Sequence, residues 1–304
     1  MKLVRAAAVQ FISRAVRRAP DAGQIVLQET RDRLESLRGY GLDLVVLPEG
    51  VESLGQTVET AEEMDKPGPF LSLYAEWAAA NKCFVAGSVK LRENGRPHNS
   101  IVFFDRQGKA VGRYHKCFLT RGERESGLIP GAGPVVVDTE IGRLGGAICF
   151  DLNFEPLRQG YRALKPDILC FASAYHGGLM QAMWAYDCRS FFVAALGCQD
   201  GGVLDPFGRP LAMTHCYATV ARAAMNLDRI MVHLDFNRDK FPAIERKYLG
   251  KVAIDIPPSI GPALIYSLTE EFTAMDIARE FDLLLMDDYM AESIRDNDAV
   301  RVRA

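Results

Sequence analysis

Short apolar runs alternate with longer amphipathic stretches over most of the chain. Residues 42–47 show no regular alternation of apolar and polar positions, which is typical of a strand buried on both faces. Residues 24–38 carry leucine and isoleucine among charged side chains, and residues 69–81 begin at a Gly-Pro pair, so both segments are predicted to be helices. Strands and helices mixed in this way predict the α/β class.

The same pattern predicts a series of further elements. Turn signals such as Asn94-Gly95 separate neighbouring apolar runs, which indicates hairpins and therefore mixed sheets rather than purely parallel ones. We expect helices at 155–164 and 180–190. The remaining predicted strands, which complete the set, are 3–11, 83–90, 100–105, 110–114, 135–138, 144–149, 167–171, 191–196, 218–224 and 230–234.

The pattern of the sequence changes near residue 240. No strong linker interrupts the chain before that point, whereas proline-containing breaks such as Pro257-Pro258 follow it. We therefore predict one domain over residues 1–240 and a C-terminal extension over residues 241–304.

A late amphipathic helix is predicted near residues 270–293. Its apolar stripe lies among acidic residues and must be covered by something. We expect the extension to lie at a homo-oligomer interface, with packing on its own subunit as the alternative. The stripe consists of Phe272, Met275, Ile277, Phe281, Leu284 and Leu285.

Composition excludes several classes of protein. The 304 residues are 48% hydrophobic and 25% charged, so the chain can offset its ordering entropy by burial and is not disordered. No apolar run approaches the roughly 18–20 residues that span a bilayer. A formal net charge of −3 lacks the excess of positive charge that is typical of nucleic-acid-binding proteins. Residues 1–18 make a poor secretory signal, because Gln10 and several arginines interrupt a short apolar stretch.

The cysteines indicate a reducing compartment. There are seven of them in a long chain, an odd number that does not suggest a disulfide framework. We therefore expect reduced thiols and a cytoplasmic location. Most of these cysteines lie in or beside apolar runs and are interpreted as small buried hydrophobic residues. They are Cys83, Cys117, Cys149, Cys170, Cys188, Cys198 and Cys216.

Three polar side chains stand at the ends of predicted strands: Glu49, Lys116 and Cys149. In α/β folds, ligands bind at the carboxyl ends of strands. A thiol there can act as a nucleophile, a carboxylate can remove its proton, and an ammonium can stabilise an oxyanion. Each residue alone is more typical of a turn, a solvated surface or a core, but the three together favour a catalytic site.

The local sequences around these residues resemble the three catalytic motifs of the carbon–nitrogen hydrolase (nitrilase) superfamily, in order and in approximate separation. Shorter similarities lie at residues 4–10, 67–69, 99–100 and 205–208, and the resemblance covers about residues 1–240. It implies a four-layer αββα sandwich with two mixed β-sheets. The three motifs are Leu47-Pro48-Glu49, Tyr114-His115-Lys116 and Gly146-Ala147-Ile148-Cys149-Phe150-Asp151.

The resemblance also assigns roles to the matching residues. Glu49 would be the general base, Lys116 the oxyanion stabiliser and Cys149 the nucleophile, with the backbone N–H of Phe150 as a second oxyanion donor. The reaction implied is hydrolysis of a non-peptide C–N bond through a cysteine thioester, with neither a metal nor an organic cofactor. Family members commonly form dimers through their outer helices, so a homodimer or larger homo-oligomer is expected.

A second glutamate often follows the lysine in this family and orients the lysine and the substrate. Either Glu123 or Glu125 matches it, and the shorter distance to Pro130-Gly131 favours Glu125. The chain departs from the family pattern directly after the lysine. Residues 117–119 read Cys-Phe-Leu where His-Leu is common, so we expect a differently shaped loop.

The motif at the nucleophile indicates the branch. Nitrilases usually carry Cys-Trp-Glu, whereas Cys149-Phe150-Asp151 is similar to the amidase and carbamoylase branches. Carbamoylases that grip a substrate carboxylate carry arginines shortly afterwards, where this chain has Leu152 and Asn153. Hydrolysis of a small linear amide to an acid and ammonia or an amine is the first prediction. N-carbamoyl hydrolysis, nitrile hydrolysis and an inactive binding protein follow in that order.

The segment after the predicted strand 167–171 lines the substrate pocket in this family. Tyr175 and His176 are therefore candidate substrate-binding residues together with Phe150, although a packed turn is the ordinary alternative. Trp184 is a weaker candidate, since a tryptophan on such a helix more often belongs to the core.

Other chemistries fit the sequence less well. The glycines at residues 131 and 133 do not form a nucleotide-binding loop, and no G-x-S-x-G elbow of a serine hydrolase occurs. A scaffold protein would not be expected to keep all three catalytic residues. The remaining rival is a zinc hydrolase, although its ligands lack the usual spacing. They would be His115, Cys117, His215 and Cys216.

Overall fold

The computed structural model describes residues 1–11, 13–14, 19–50, 56–198 and 200–302. Two compact units make up the chain: a larger unit, Val4–Met225, and a smaller unit formed by Met1–Leu3 and Asn226–Ala304. The contacts thus divide the chain at residue 226, whereas the sequence pattern placed the boundary at residue 240. Among the described residues, no helix has the length and apolar character that a membrane span requires.

The first sheet of the larger unit has six strands in the order β12-β1-β2-β3-β4-β5. Strands β1, β2 and β3 are parallel, while β3, β4 and β5 form antiparallel hairpins, so the predicted mixed sheet is confirmed. The strands are β1 (Leu3–Val9), β2 (Leu44–Val46), β3 (Phe84–Glu93), β4 (Arg96–Phe104), β5 (Ala110–His115) and β12 (Val220–Asn226).

The second sheet also has six strands, in the order β11-β10-β9-β8-β7-β6, with parallel pairing from β7 to β9 and antiparallel pairing at both ends. Strands β10 and β11, three and four residues long, were not predicted. The strands are β6 (Val136–Thr139), β7 (Gly142–Ile148), β8 (Ile168–Ser173), β9 (Phe191–Leu196), β10 (Gly202–Leu204) and β11 (Pro210–Met213).

Helices cover the outer faces of the two sheets. Helices α1 (Ala22–Glu35) and α2 (Pro69–Asn81) flank the first sheet, and α4 (Glu155–Leu164) and α5 (Leu179–Cys188) flank the second. The inner faces meet where β2 contacts β8 and β9. The larger unit is therefore the predicted four-layer αββα sandwich. A short helix, α3 (Arg121–Glu125), lies in the loop after β5.

Apolar side chains on one face of α2 attach this helix to the first sheet. Phe70, Tyr74 and Trp77 are all buried there, and the Tyr74 hydroxyl donates to the Ser88 carbonyl at 3.0 Å. Burying one such side chain contributes roughly 1.5–3 kcal/mol. Because Glu62 also accepts hydrogen bonds from backbone N–H groups of the first turn of α2, both the face and the start of the helix are fixed.

The smaller unit contains a three-stranded antiparallel sheet in the order β13-β15-β14. The sequence did not predict β14 or β15, since proline and glycine around residues 257–262 suggested an irregular tail. Proline is tolerated at the first position of a strand, where β15 begins. The elements are β13 (Arg229–His233), α6 (Phe241–Lys247), β14 (Val252–Asp255), β15 (Pro262–Ser267), α7 (Ala274–Glu280) and α8 (Met286–Arg301).

The single late helix predicted near residues 270–293 is wrong. The chain forms α7 and α8 instead, with a break in which Leu285 bridges Val232 of β13. Much of the predicted apolar stripe, including Ile277 and Phe281, packs into the core of the smaller unit. Packing on its own unit therefore accounts for much of the stripe, which no longer argues for an interface. The predicted homo-oligomer stays a prediction.

Candidate active site

The three residues singled out from the sequence lie at strand ends in the larger unit. Glu49 lies three residues after β2, Lys116 directly follows β5, and Cys149 directly follows β7. The first two come from one sheet and the third from the other. Because the sheets pack face to face, these strand ends meet, and the side chains enter a common site.

Lys116 is held between two carboxylates. Its Nζ donates to Glu49 Oε1 at 2.8 Å and to Glu123 at 2.9 Å, and the side chain is 1% exposed. Burial lowers the pKa of Lys116, but the charges of Glu49 and Glu123 raise it more, so the net pKa lies above its usual value. The lysine therefore stays an ammonium in the folded protein.

The glutamate that contacts Lys116 is Glu123, whereas the predicted Glu125 does not reach the lysine. Glu123 caps helix α3, where its Oε2 accepts from the Thr120 N–H at 2.8 Å and the Thr120 hydroxyl at 2.9 Å. Glu125 pairs instead with Arg121, and its side chain is 61% exposed. Side chains two positions apart on a helix point to different sides of it, so only one of the two glutamates can reach the lysine.

A capping-box signal could have identified Glu123 from the sequence. Thr120-x-x-Glu123 is the pattern in which the side chain at the third helical position returns to the cap. Burial raises the pKa of Glu123, but Lys116 and a hydrogen bond from Asn99 lower it more, so the net pKa is lowered. Glu123 is therefore ionised beside the ammonium.

Asn99 of β4 is a site residue to which the sequence analysis assigned no role. Its Nδ2 donates to Glu49 Oε1 and to Glu123 Oε1, both at 2.8 Å. Its backbone carbonyl accepts from the Lys116 N–H at 2.8 Å. The only sequence signal was the short family similarity at residues 99–100, which gave no function. Asn99 thus touches all three charged residues of the site.

Cys149 occupies a left-handed backbone conformation with φ of 48°. It ends β7 and opens a 3-10 helix, Cys149–Asn153. Such conformations are rare for residues other than glycine and recur at functional sites. Three residues earlier in the chain, Gly146 of β7 leaves room for Tyr114, since a Cβ there would come within 2.7 Å of the tyrosine. Packing of β7 against β5 therefore brings Cys149 close to the strand that precedes Lys116.

The Cys149 thiol does not ionise readily by itself. Burial and the charge of Glu49 raise its pKa to about 11, while Lys116 and a hydrogen bond with Ser173 act in the opposite direction. At neutral pH the Cys149 side chain is therefore a thiol and not a thiolate.

Asp151 anchors the turn that carries Cys149. Its carboxylate is fully buried and accepts from the Tyr114 hydroxyl at 2.7 Å, the Ile148 N–H at 2.9 Å and the Phe118 N–H at 2.8 Å. Burial raises its pKa to about 7, and the hydrogen bonds oppose that change. The bond to Phe118 fixes the loop after Lys116, where the sequence departs from the family pattern.

The segment after β8 reaches the site through its backbone. The Ala174 N–H donates to Glu49 Oε2 at 3.0 Å. Gly50 has a φ of 84°, and a Cβ on it would lie 3.0 Å from the Ala174 side chain, so glycine permits this approach. Tyr175 and His176, the predicted substrate-binding residues, both have exposed side chains. Their role stays a prediction.

Aromatic rings lie beside the turn that carries Cys149. Phe150 is 38% exposed, and its ring meets Phe154 edge-on at 5.1 Å between centroids. Phe154 in turn stacks on Phe118 at 3.8 Å. Trp184 is fully buried and donates its indole N–H to the Leu152 carbonyl, so it belongs to the core, as its position on α5 suggested.

The described ranges contain no group of three or more histidine, cysteine, aspartate or glutamate side chains that could hold a metal ion. His115, a ligand in the zinc interpretation, lies 2.7 Å from both Ser100 Oγ and Glu93 Oε2 and stacks on His98. Burial lowers its pKa to about 4. These contacts give His115 a structural role in the strand that precedes Lys116.

The sequence profile of the carbon–nitrogen hydrolase family matches residues 5–230. The chain therefore belongs to this family and is a C–N hydrolase of the nitrilase superfamily.

Curated relatives include amidases and nitrilases. The chain is 26% identical to a chloroplastic omega-amidase of Arabidopsis thaliana over 250 residues, 70% of this chain and 68% of that one. It is 30% identical to a bifunctional nitrilase/nitrile hydratase of Nicotiana tabacum over 178 residues, which cover 50% of this chain and 51% of the relative.

Solved structures share the fold. Nit3 of Saccharomyces cerevisiae superposes with a TM-score of 0.62 at 19% identity, covering 73% of this chain and 90% of that one. The amidase of Nesterenkonia sp. AN1 superposes with a TM-score of 0.63 at 18% identity, covering 81% and 97%. The structure compared is a Glu-to-Gln mutant of that amidase, with the acetamide moiety of fluoroacetamide covalently bound to its active-site cysteine.

Proposed function

We propose that this protein hydrolyses a small linear amide to a carboxylic acid and ammonia or an amine, with Cys149 as the nucleophile. The observation that carries the proposal is the ammonium of Lys116, buried between Glu49 and Glu123 at 2.8 and 2.9 Å beside the strand-end cysteine. Base, cation and thiol are the three groups that acyl transfer through a thioester requires.

The first half of the reaction forms the thioester. Glu49 takes the proton of Cys149 as Sγ attacks the amide carbonyl carbon, which forms the C–S bond. The oxyanion then lies near Lys116 Nζ and the backbone N–H of Phe150. As the C–N bond breaks, Glu49 returns the proton to the departing nitrogen, so that ammonia or an amine leaves neutral.

The second half regenerates the thiol. A water molecule gives a proton to Glu49 and attacks the thioester carbonyl at the same oxyanion site. The C–S bond breaks, the acid leaves, and the proton passes from Glu49 to Cys149. Every proton that Glu49 accepts is thus returned, and the residues of the site end each cycle in their starting state.

Amides are favoured over nitriles as substrates. The nucleophile is followed by Phe150 and Asp151, in the pattern of the amidase branch. The omega-amidase relative is aligned over more of this chain than the nitrilase relative, 70% against 50%. An amide and a nitrile need protons delivered at different places, so one site geometry favours one of them. N-carbamoyl amides are the second candidate class.

Ammonia release over a panel of amides, N-carbamoyl compounds and nitriles with matched acyl groups tests the proposal. We expect the kcat/KM for an amide to exceed that for its matched nitrile at least about a hundredfold, equivalent to roughly 2.7 kcal/mol. Cys149→Ala is the control and should fold normally without measurable turnover. Faster nitrile turnover would place the protein with the nitrilases. Activity in Cys149→Ala would show that Cys149 is not the nucleophile.

A further inference from the structure

The side-chain amide of Asn99 bridges the two glutamates of the site. Its Nδ2 lies 2.8 Å from Glu49 Oε1 and 2.8 Å from Glu123 Oε1. The orientation of the amide is determined, because the reverse orientation would place its oxygen against two carboxylate oxygens. An amide nitrogen carries two N–H groups, so each carboxylate accepts one. The other end, Asn99 Oδ1, is buried without a hydrogen-bond partner among the described residues.

Lys116 makes the same pair of contacts from its own position. Its Nζ donates to Glu49 Oε1 and Glu123 Oε1 at 2.8 and 2.9 Å. Two donors and two acceptors therefore alternate in a closed ring of four polar side chains. The ring holds two negative charges and one positive charge, and Asn99 supplies the second donor without adding a charge. Of the common side chains, only a primary amide or a cation can donate to both carboxylates in this way.

The ring determines which hydrogen atoms and lone pairs stay available for chemistry. An ammonium has three N–H groups, and the two glutamates accept two of them, which leaves the third for a substrate oxyanion. Glu49 Oε1 accepts from Lys116 and from Asn99, whereas Oε2 accepts from the Ala174 N–H at 3.0 Å. Oε1 thus accepts from two side chains and Oε2 from one backbone N–H, so Oε2 is the oxygen with more lone-pair capacity left for a further proton.

We propose that Asn99 is a positioning residue: by holding both glutamates on Lys116, it presents Glu49 Oε2 to the Cys149 thiol and one Lys116 N–H to the oxyanion. This inference rests on the proposed function, since it assigns the proton-accepting atom of the same site. Asn99 touches neither the substrate nor the thiol in this account. It acts on the rate through the two carboxylates.

Two variants separate the loss of the Asn99 hydrogen-bond donors from the effect of an added charge. Asn99→Asp keeps the shape of the side chain, removes both N–H donors and adds a third carboxylate. Asn99→Ala removes the donors without adding charge. We expect kcat to fall about a hundredfold in Asn99→Asp and about tenfold in Asn99→Ala, with KM changed less than about threefold, because misplacement of a catalytic group costs rate more than binding.

Alkylation of Cys149 by iodoacetamide, followed by mass spectrometry of its peptide, gives a readout without substrate. The groups that face the thiol are Glu49, Lys116 and Ser173. The added carboxylate of Asn99→Asp disfavours the thiolate, so the midpoint of the alkylation rate against pH should move upward. In Asn99→Ala the rate at pH 7.5 should fall together with kcat.

Asn237→Ala is the matched control. Asn237 is also fully buried and donates its side-chain amide to backbone carbonyls, but it belongs to the smaller unit. This variant should melt at a lower temperature while kcat and the alkylation profile stay at wild-type values. The same pattern in both Asn99 variants would show a purely structural role and overturn the proposal, as would failure of both to fold. If the wild type hydrolyses no amide, the alkylation profiles still test the positioning role separately from the proposed function.

Discussion

Two carboxylate clusters lie near Cys149, and they differ in the charge of their hydrogen-bond donors. In the ion-paired cluster, Glu49 and Glu123 surround the ammonium of Lys116. In the neutral-donor cluster, Asp151 accepts from the Tyr114 hydroxyl and from two backbone N–H groups. The pKa of Glu123 is lowered, whereas burial raises that of Asp151 to about 7.

The difference in donor charge distinguishes a cluster suited to catalysis from a cluster suited to holding the local structure. A cationic partner keeps a buried carboxylate ionised and able to orient the lysine that we propose as the oxyanion donor. Neutral donors also hold a carboxyl group in place, but its pKa then lies near neutral pH. We therefore expect changes in the ion-paired cluster to abolish turnover, and changes in the neutral-donor cluster to alter stability and the fit of the nucleophile turn.

Lys116→Met should have the largest effect. The substitution leaves two carboxylates buried without their cation, which costs about 3–5 kcal/mol of unfolding free energy. It also removes the proposed oxyanion donor, so kcat should fall by about a thousandfold or more. Urea denaturation and steady-state hydrolysis measure the two losses. Lys66→Met, at an exposed lysine, should change neither quantity, and more than about a tenth of wild-type kcat in Lys116→Met would contradict this assignment.

Glu123→Gln and Glu125→Gln form a matched pair on one short helix. Glu123→Gln removes a charge that holds Lys116, so we expect kcat to fall about a hundredfold. Glu125→Gln removes an exposed ion pair with Arg121 and should change kcat by less than about twofold. Kinetics of both variants on one amide decide which glutamate belongs to the site. Equal losses in the two variants would be inconsistent with the geometry described above.

Asp151→Asn should reduce kcat by about tenfold, because the nucleophile turn loses part of its anchor. The pKa of Asp151 rises from 3.8 to about 7 on folding, so the folded state holds a proton that the unfolded state has lost. Its contribution to stability is therefore present below about pH 4 and is lost as the pH rises through 7. The stability advantage of wild type over Asp151→Asn should thus be larger at pH 5 than at pH 8 in urea denaturation. The same comparison for Asp138→Asn, at an exposed aspartate, should give no such slope.

The periodicity of apolar residues was sufficient to predict a helix or strand where burial alone determines its bounds. Helices 69–81 and 155–164 and the strand 191–196 have the predicted bounds, since each has a strong apolar pattern with clear start or stop signals. The pattern did not predict β10 and β11, because these short strands do not stand out from the loops around them as apolar runs. The late helix was also mispredicted, because an apolar stripe does not reveal that a turn and an isolated bridge at Leu285 interrupt it.

The sequence by itself determined the fold class, the family resemblance and the strand-end positions of Glu49, Lys116 and Cys149, because these depend on local pattern and on motifs in order. Only the tertiary structure decided that Glu123 and not Glu125 reaches the lysine, and that Asn99 joins both carboxylates. Those outcomes depend on the direction in which a side chain leaves a short helix and on the pairing of β4 with β5. A sequence records neither quantity directly, since both arise from contacts between residues far apart in the chain.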